Sequence, residues 1–432
     1  MTAPRSLWRH RGFRQLWVAE TASHVGTQVV GVALPVVAVA VLGASPLEMG
    51  VLTALETAAF LLIALPAGAW VDRWRRQRVL VRADVVRALA LLTIPVAYLL
   101  DALTLGQLFV VAAVVGTATV FFDVAYQSYL PSLVDRSQLT DGNGKLEISR
   151  AVAQVAGPGL AGVLLRVVAA PLLIVVTAVG YLLSAAAVGR IHHGDVVPAR
   201  SSRRRLRVEV REGLAFVVGH PLLRRIVACT GTGNLFGAIT GTLLAIYVLR
   251  TLGLSESTLG LVLSAGAAGG LLGAGTAAPF ARWVGDGRTI PLSAVAFGLA
   301  ASLTPLASLA EGTVRLALLV GGSIAGSWAV VVYNVVQVSF RQRLCPPGLL
   351  GRMNASVRFL VFGTMPVGGL LGGVLGTAVG VVPALWVAVA GQLLAALPVL
   401  LSPLAGMRDL PDEWDAGPVQ ESSAASPGSP PA

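Results

Sequence analysis

In the first half of this chain, four titratable side chains that could bind a proton fall inside long apolar stretches, where ionisable groups are uncommon. Glu20 and His24 lie four residues apart in the first stretch, Glu56 lies in the second and Asp123 in the fourth. A charge in hydrocarbon costs at least about 2–3 kcal/mol unless it faces a polar cavity or is neutralised. Burial favours the protonated form of a carboxyl group. These positions therefore predict proton binding at Glu56 and Asp123, with Glu20 and His24 as a second pair on one helical face; the alternative for each is a buried structural group.

The stretches that carry these groups have the length and composition of transmembrane helices. Of 432 residues, 55% are hydrophobic and 12% are charged, whereas soluble domains contain about 25% charged residues. A transmembrane helix takes about 20 residues. The sequence thus predicts an all-α membrane protein with twelve transmembrane helices, at residues 14–42, 46–70, 79–100, 105–131, 147–166, 170–190, 222–250, 256–281, 289–309, 314–341, 354–378 and 381–403.

The basic residues predict the orientation of the helices in the membrane. The net charge is +11, but the arginines concentrate in alternate loops, above all in the segments 5–14, 73–82 and 190–225. Cytoplasmic loops of membrane proteins carry such an excess. We therefore expect a protein of the bacterial cytoplasmic membrane with both termini in the cytoplasm, and we read the charge as a signal of topology and lipid contact rather than of nucleic-acid binding.

The second half of the chain repeats the first. Leu42-Gly43 and Ser45 recur 210 residues later as Leu252-Gly253 and Ser255, and Pro158 recurs 208 residues later as Pro366. Two halves in one orientation predict two pseudo-symmetric six-helix bundles with a substrate site between them near the membrane midplane. The predicted units are an N-terminal bundle at 1–190, a basic cytoplasmic linker at 191–221, a C-terminal bundle at 222–405 and a disordered cytoplasmic tail at 406–432.

The short loop after the second predicted helix carries a charge motif. Gly68, Asp72, Arg73 and Arg76 resemble the signature G-x-x-x-D-R-x-x-R-[RK] of the major facilitator superfamily, although Gln77 replaces its last basic residue. The resemblance implies that Asp72 acts as a conformational latch in the outward-open state, at a helix N-terminus that favours a carboxylate. Two further residues on the third helix, Asp84 and Arg87, are spaced to pair and to support this latch. The alternative is an ordinary charge cluster at the membrane edge.

A second motif lies in the fifth predicted helix, at Gly157, Pro158, Gly159 and Gly162. It resembles the G-P-x-x-G-G motif of drug–proton antiporters, with Ala161 in place of one glycine, and Pro366 marks the repeated copy. Small residues allow close helix contact, and proline permits a bend; plain helix packing is the alternative. Phrases such as Leu350-Gly351-Arg352-Met353-Asn354 resemble the bacterial branch of exporters that includes macrolide and enterobactin efflux pumps.

Few fixed polar groups remain to line a central cavity, so an amphipathic or apolar substrate is favoured over a sugar. The candidate cavity residues are Tyr126, Gln127, Asn234, Tyr333, Asn334 and Gln337. The sequence predicts a monomeric secondary transporter that exports a lipophilic small molecule in exchange for protons. Alternatives are export of an endogenous siderophore or secondary metabolite, or a non-transporting membrane enzyme or lipid scramblase. No phosphate-binding loop, metal-ligand cluster or catalytic triad is recognisable, and we expect no cofactor, metal or catalytic residue.

Overall fold

The computed structural model describes residues 7–63, 67, 70–71, 74–134, 138–191, 206–345 and 350–408. Within these ranges the protein is helical and contains no strand. Its helices are α1 (Arg11–Val36), α2 (Pro46–Leu62), α3 (Arg76–Leu99), α4 (Leu105–Leu133), α5 (Leu139–Leu164), α6 (Ala170–Gly189), α7 (Leu206–Gly219), α8 (Pro221–Ile246), α9 (Glu256–Val284), α10 (Asp286–Leu306), α11 (Gly312–Leu344), α12 (Leu350–Phe362), α13 (Thr364–Ala378), α14 (Val381–Ala395) and α15 (Leu397–Leu400). Nine helices of the described part are long and apolar enough to cross a membrane.

Several helices differ from the sequence prediction. α5 begins at Leu139 rather than at 147, and the predicted linker contains a helix, α7, that packs on α12. In this contact Val217 is 1% exposed and belongs to one apolar cluster with Met353 and Val357. Many arginines flank α7 in the sequence. The composition of this segment therefore indicates a linker, even though α7 has an apolar face.

The eleventh predicted span is broken into α12 and α13 at Gly363. Pro366 explains the position of the break, because a proline has no N–H group and its ring collides with the carbonyl four residues earlier, here that of Phe362. The sequence predicts a bend at Pro366, and the helix is interrupted three residues before it, at Gly363.

The repeated phrases of the sequence adopt the same local structure. α1 continues into a π turn at Val37–Val41, and α8 continues into one at Tyr247–Thr251. Each turn is followed by a glycine with positive φ, +70° at Gly43 and +63° at Gly253, a conformation in which other residues are strained. Serine side chains then cap α2 and α9 by accepting a hydrogen bond from a backbone N–H.

The helices of each half pack in the same order. In the first half α1 contacts α5 and α6, α3 contacts α4 and α6, and α2 contacts α4. In the second half α8 contacts α13 and α14, α10 contacts α11 and α14, and α9 contacts α11. The main contacts between the halves are α2 with α13 and α5 with α9. Since α2 and α9 hold equivalent positions in the two halves, and α5 and α13 do so as well, the two contacts are related by the repeat.

Glycines make these contacts between the halves close. A Cβ atom on Gly50 of α2 would lie 2.7 Å from the carbonyl oxygen of Gly369 in α13, and one on Gly260 of α9 would lie 2.7 Å from the Cα of Gly162 in α5. Both contacts lie near the loops 42–45, 165–169 and 252–255, which we call the short-loop end. The backbones touch there because neither helix carries a side chain at the contact.

We expect Gly260→Ala to destabilise the protein by about 1–3 kcal/mol, because the new methyl group has no space between α5 and α9. The matched control on the same helix is Gly275→Ala, where a Cβ atom meets nothing within 4 Å. This control should be neutral or stabilising by up to about 1 kcal/mol, since alanine favours the helix. Thermal unfolding of both variants in detergent tests the expectation, and equal effects at the two positions would contradict it.

Candidate functional site

A cavity of about 470 Å³ lies between the two halves, within the size range of ligand pockets. It is bounded by α1 and α2 on one side and by α8, α10, α11, α13 and α14 on the other. Most of its wall is apolar or glycine. The polar side chains in the wall are those of Thr53, Glu56, Thr57, Thr230, Asn234, Thr242, Ser293, Tyr333, Asn334 and Gln392. The structure thus brings four of the predicted residues, Glu56, Asn234, Tyr333 and Asn334, into one cavity.

Glu56 is the acidic group of this wall among the described residues. α2 and α4 approach so closely beside it that a Cβ atom on Gly116 would lie 2.4 Å from the Glu56 carbonyl oxygen. This contact fixes the backbone of α2 at the point where the carboxyl group enters the cavity. A proton at Glu56 therefore changes the charge of the cavity itself.

Hydrogen bonds hold the polar groups of the second half in place. The hydroxyl groups of Thr230 and Tyr333 are 2.8 Å apart, and the Asn234 amide donates to the Val361 carbonyl at 3.2 Å. Gln337 is 3% exposed and lies behind this wall, where its Nε2 donates to Oδ1 of Asn334 at 3.2 Å. These contacts leave a wall with fixed polar positions inside a mostly apolar cavity, which suits an amphipathic ligand.

A second cavity of about 600 Å³ adjoins the first, because Gly31, Phe297 and Val330 belong to both walls. It lies between α1 and α5 of the first half and α9, α10 and α11 of the second. Its polar side chains are Gln28, Glu147, Gln154 and Ser327. Sequence reasoning missed all four. Gln154, one turn before Pro158 in an apolar helix, is the signal that could have indicated them.

A cluster of charged groups lies in the first half, outside both cavity walls. Nε2 of His24 is 3.1 Å from Oε2 of Glu20, which is 2% exposed. Arg87 pairs with the buried Asp84, and its guanidinium group lies 4.2 Å from the centres of the Phe122 and Tyr181 rings, a cation–π arrangement.

Asp123 follows Phe122 on α4 and lies within electrostatic range of Arg87, Glu20 and His24. Asp84 pairs with Arg87 and lies within electrostatic range of Glu20. The structure therefore places three predicted proton sites near Asp84 and Arg87, which the sequence places in the latch. Arg358 of α12, in the second half, also acts electrostatically on Asp123 and is itself exposed.

Other predicted residues lie elsewhere. Tyr126 stacks on Phe122 with ring centres 6.4 Å apart and is outside the cavity walls. A Cβ atom on Gly157 would lie 2.4 Å from Cβ of Gln28, and one on Gly159 would lie 2.9 Å from Oγ of Ser264. Pro158 lines the second cavity. The latch residues Gly68, Asp72 and Arg73, and the side chain of Gln127, lie outside the described residues.

Arginines join the two halves at the short-loop end. Arg250, after α8, donates to the carbonyl oxygens of Ala44 at 2.7 Å and Val39 at 2.5 Å. Arg166, after α5, donates to Oγ of Ser257 at 3.1 Å. Together with the glycine contacts, these bonds close this end of the space between the halves.

Comparisons of the sequence identify related proteins. A family profile described as "Transmembrane secretion effector" matches residues 2–426. The multidrug efflux pump Tap of Mycolicibacterium fortuitum is 29% identical over 348 residues, which cover 78% of this chain and 82% of Tap. The enterobactin exporter EntS of Salmonella typhi is 23% identical over 346 residues, which cover 80% of this chain and 81% of EntS.

Solved transporter structures share the fold. An inward-facing bacterial homologue of the iron transporter ferroportin has a TM-score of 0.72 at 20% identity, covering 93% of this chain and all of that chain. The nucleoside transporter NupG has a TM-score of 0.70 at 14% identity, covering 90% of this chain and 98% of NupG. At these identities the likeness establishes the arrangement of helices and no shared substrate.

We expect Arg87→Leu to destabilise the protein by about 3–5 kcal/mol, because it leaves Asp84 buried without its partner. Replacing both residues by leucine should recover much of this loss. Arg343→Leu is the control, since its pair with Asp286 is 40% and 37% exposed and such pairs contribute about 0–1 kcal/mol. Thermal unfolding in detergent measures all three variants. A loss no larger than that of Arg343→Leu would show that the buried pair is not needed for stability.

We expect Arg250→Gln to increase the population that is open at the short-loop end about tenfold, as a loss of roughly 1.4 kcal/mol of charged hydrogen bonding does. Spin labels on cysteines at Leu47 and Leu261, which are 43% and 48% exposed, report the distance between the halves once Cys229 and Cys345 are replaced by alanine. Arg315→Gln is the control, because Arg315 donates to carbonyl groups of its own half, at Ala310 and Leu252. An unchanged distance distribution in Arg250→Gln would contradict the closing role.

Proposed function

Since the chain belongs to the transmembrane secretion effectors of the major facilitator superfamily, we propose that it exports a lipophilic or amphipathic small molecule in exchange for protons. Its relatives and structural neighbours are transporters, so it is a multi-pass membrane transporter and not an enzyme. The observation that carries the proposal is the mostly apolar cavity between the halves, with Glu56 in its wall.

The proposed architecture is twelve transmembrane helices in two six-helix bundles, residues 1–190 and 222–405, joined by the basic segment 191–221. The repeated packing order and the two matching π turns support it. We place the protein in the bacterial cytoplasmic membrane as a monomer, with both termini and the tail 406–432 in the cytoplasm. The arginine distribution supports this orientation, in which the short-loop end faces outward.

Transport then proceeds by alternating access, in which the halves rock about the cavity between them. The close glycine contacts and Arg250 at the short-loop end support an inward-facing assignment for the present state. Outward opening separates α2 from α13 and α5 from α9 at that end. In the outward state the loop carrying Gly68, Asp72, Arg73 and Arg76 serves as the latch.

The charge balance of the buried cluster supports proton coupling. Three carboxyl groups, those of Glu20, Asp84 and Asp123, lie near one buried guanidinium group, that of Arg87. Because the carboxyl groups outnumber this cation, the cluster favours bound protons, on His24 or on a carboxyl group.

Glu56 provides the link between protons and substrate. The deprotonated carboxylate of Glu56 attracts the cationic end of an amphipathic occupant, and a proton on the same carboxyl group removes that attraction. Substrate and proton therefore compete at Glu56, and the fixed polar groups of Asn234 and Tyr333 orient the polar end of the substrate.

We expect Glu56→Gln and Asp123→Asn to reduce substrate-dependent proton flux to the level of protein-free liposomes, because neither variant side chain can release a proton. The measurement is a pH-sensitive dye in proteoliposomes, with a panel of lipophilic drugs added against an imposed pH gradient. Glu311→Gln, an exposed carboxylate at the start of α11, is the control and should retain full flux.

Full pH-driven efflux in Glu56→Gln and Asp123→Asn, both correctly folded, would exclude the proposed coupling sites. Substrate movement without proton flux in the unaltered protein would make it a uniporter or a differently coupled carrier. Lipid movement without a gradient would instead indicate a scramblase.

Export of a siderophore or secondary metabolite is the second candidate. The similarity to the enterobactin exporter EntS and the hydroxyl groups of Thr53, Thr57 and Thr230 in the cavity wall favour it. A catecholate siderophore included in the same panel separates the candidates, since proton flux with the siderophore alone supports this reading.

A further inference from the structure

An apolar groove of about 750 Å³ runs along the outside of the first half, between α3 and α4. Its walls are Val79, Ala83 and Val86 of α3 and Ala113, Val114, Thr117, Ala118 and Phe121 of α4, with Trp74 at one end. None of these residues lines either central cavity. The groove is therefore separate from the proposed transport site.

The groove lies on the surface that contacts the membrane. Val86 in its wall is 44% exposed, and its neighbours on the outer faces of the two helices, Leu89 and Val110, are 58% and 64% exposed. In a multi-pass membrane protein such apolar faces meet lipid acyl chains rather than water.

Three arginines line the groove where α3 begins. Arg75, Arg78 and Arg82 are spaced three and four residues apart, which places them on one side of the helix. All three are exposed. Among the residues that the structure describes, no acidic side chain forms an ion pair with any of them. The groove thus combines an apolar channel with a concentrated positive charge at one end.

Aromatic rings mark the same end of the groove. Trp70 and Trp74 both stack on Phe121, each with ring centres 6.1 Å apart. Tryptophan prefers the depth of the lipid headgroups. The rings therefore place the three arginines at the level of lipid phosphates.

We propose that this groove binds one anionic phospholipid, with its phosphate on Arg75, Arg78 and Arg82 and an acyl chain between α3 and α4. The guanidinium groups complement an anionic headgroup, and guanidinium is well suited to bind phosphate. A zwitterionic choline headgroup brings its own cation beside the three arginines and is less favourable. A soluble anion contacts only the arginines, and an apolar molecule fills only the channel between α3 and α4, so neither occupies both parts of the groove.

The bound lipid braces the two helices that carry the buried charge cluster. Phe121 of α4 lines the groove, and the next residue, Phe122, lies against Arg87. On α3, Arg82 and Ala83 line the groove, and Asp84 pairs with Arg87. Lipid binding outside and the charge cluster inside thus act on the same helix pair.

The test uses the full chain in phosphatidylcholine nanodiscs that contain increasing fractions of phosphatidylglycerol with brominated acyl chains. Bromine quenches nearby tryptophan fluorescence, so the quenching curve reports occupancy of the groove beside Trp74. We expect saturable quenching at low phosphatidylglycerol fractions, and loss of this component when Trp70 and Trp74, which share this end of the groove, are both replaced by phenylalanine. Brominated phosphatidylcholine at the same fractions should quench weakly and without saturation.

The combined variant Arg75→Gln, Arg78→Gln and Arg82→Gln should need more than ten times as much phosphatidylglycerol for half-saturation, since each basic residue near a charged membrane contributes about fivefold. The matched control replaces three exposed arginines elsewhere, Arg224, Arg282 and Arg288, by glutamine. Because it removes the same charge, it separates a specific site from general attraction to an anionic surface.

A further variant, Ala113→Trp, keeps the arginines and fills the groove, and it should weaken binding as well. Circular dichroism and gel filtration verify that each variant is folded. The proposal is overturned if both triple variants weaken binding equally, if phosphatidylcholine saturates at the same fraction, or if soluble glycerol phosphate alone abolishes the quenching. These measurements involve no transport, so they are decided independently of the proposed function.

Discussion

The close contact of backbones between the halves is the constraint on which the rest of the structure depends. In a membrane, helices gain little from hiding apolar surface from each other, so packing at short distance must hold them together. Gly50 against Gly373 and Gly162 against Gly260 provide that distance at the short-loop end. A single methyl group at either place separates the halves and alters the cavity between them. The glycine contacts therefore determine both the stability and the closure of this end.

Closure at the short-loop end has a polar part as well. Arg250 reaches from the second half to carbonyl groups that end α1, where the π turn and Gly43 leave backbone oxygens without helical partners. Helix ends leave such groups unsatisfied. The arginine satisfies them only while the halves are together. In the same local turn at Gly253, the Leu252 carbonyl accepts from Arg315 of its own half, so the two repeats differ in the way they contribute to closure.

The sequence predicts the elements well and the grouping of side chains poorly. Hydropathy marks nine helices of the described part because they are apolar over their own length, but α3 and α5 carry several charged residues and are not among them. Pro366 marks the break at Gly363 because a proline acts locally. Glu56 was predicted as a proton site, and the structure places it in the wall of the cavity. The pairing of Asp84 with Arg87 was predicted from their spacing, whereas the approach of Glu20 and Asp123 was not, since they lie on other helices and only packing brings them near this pair. Gln28 and Gln154 were not predicted to line a cavity because uncharged polar side chains are common in membrane helices.

α3 and α4 lie between the buried charge cluster and the groove that faces the membrane. α4 turns Phe121 towards the membrane and Phe122 towards Arg87, so adjacent residues of one helix face lipid and buried charge. A rigid helix transmits a rotation on one side directly to the other. The lipid proposed for the outer groove and the proton proposed for Asp123 therefore act on one helix. Through α4 the buried cluster and the groove are connected by packing, although no cavity joins them among the described residues.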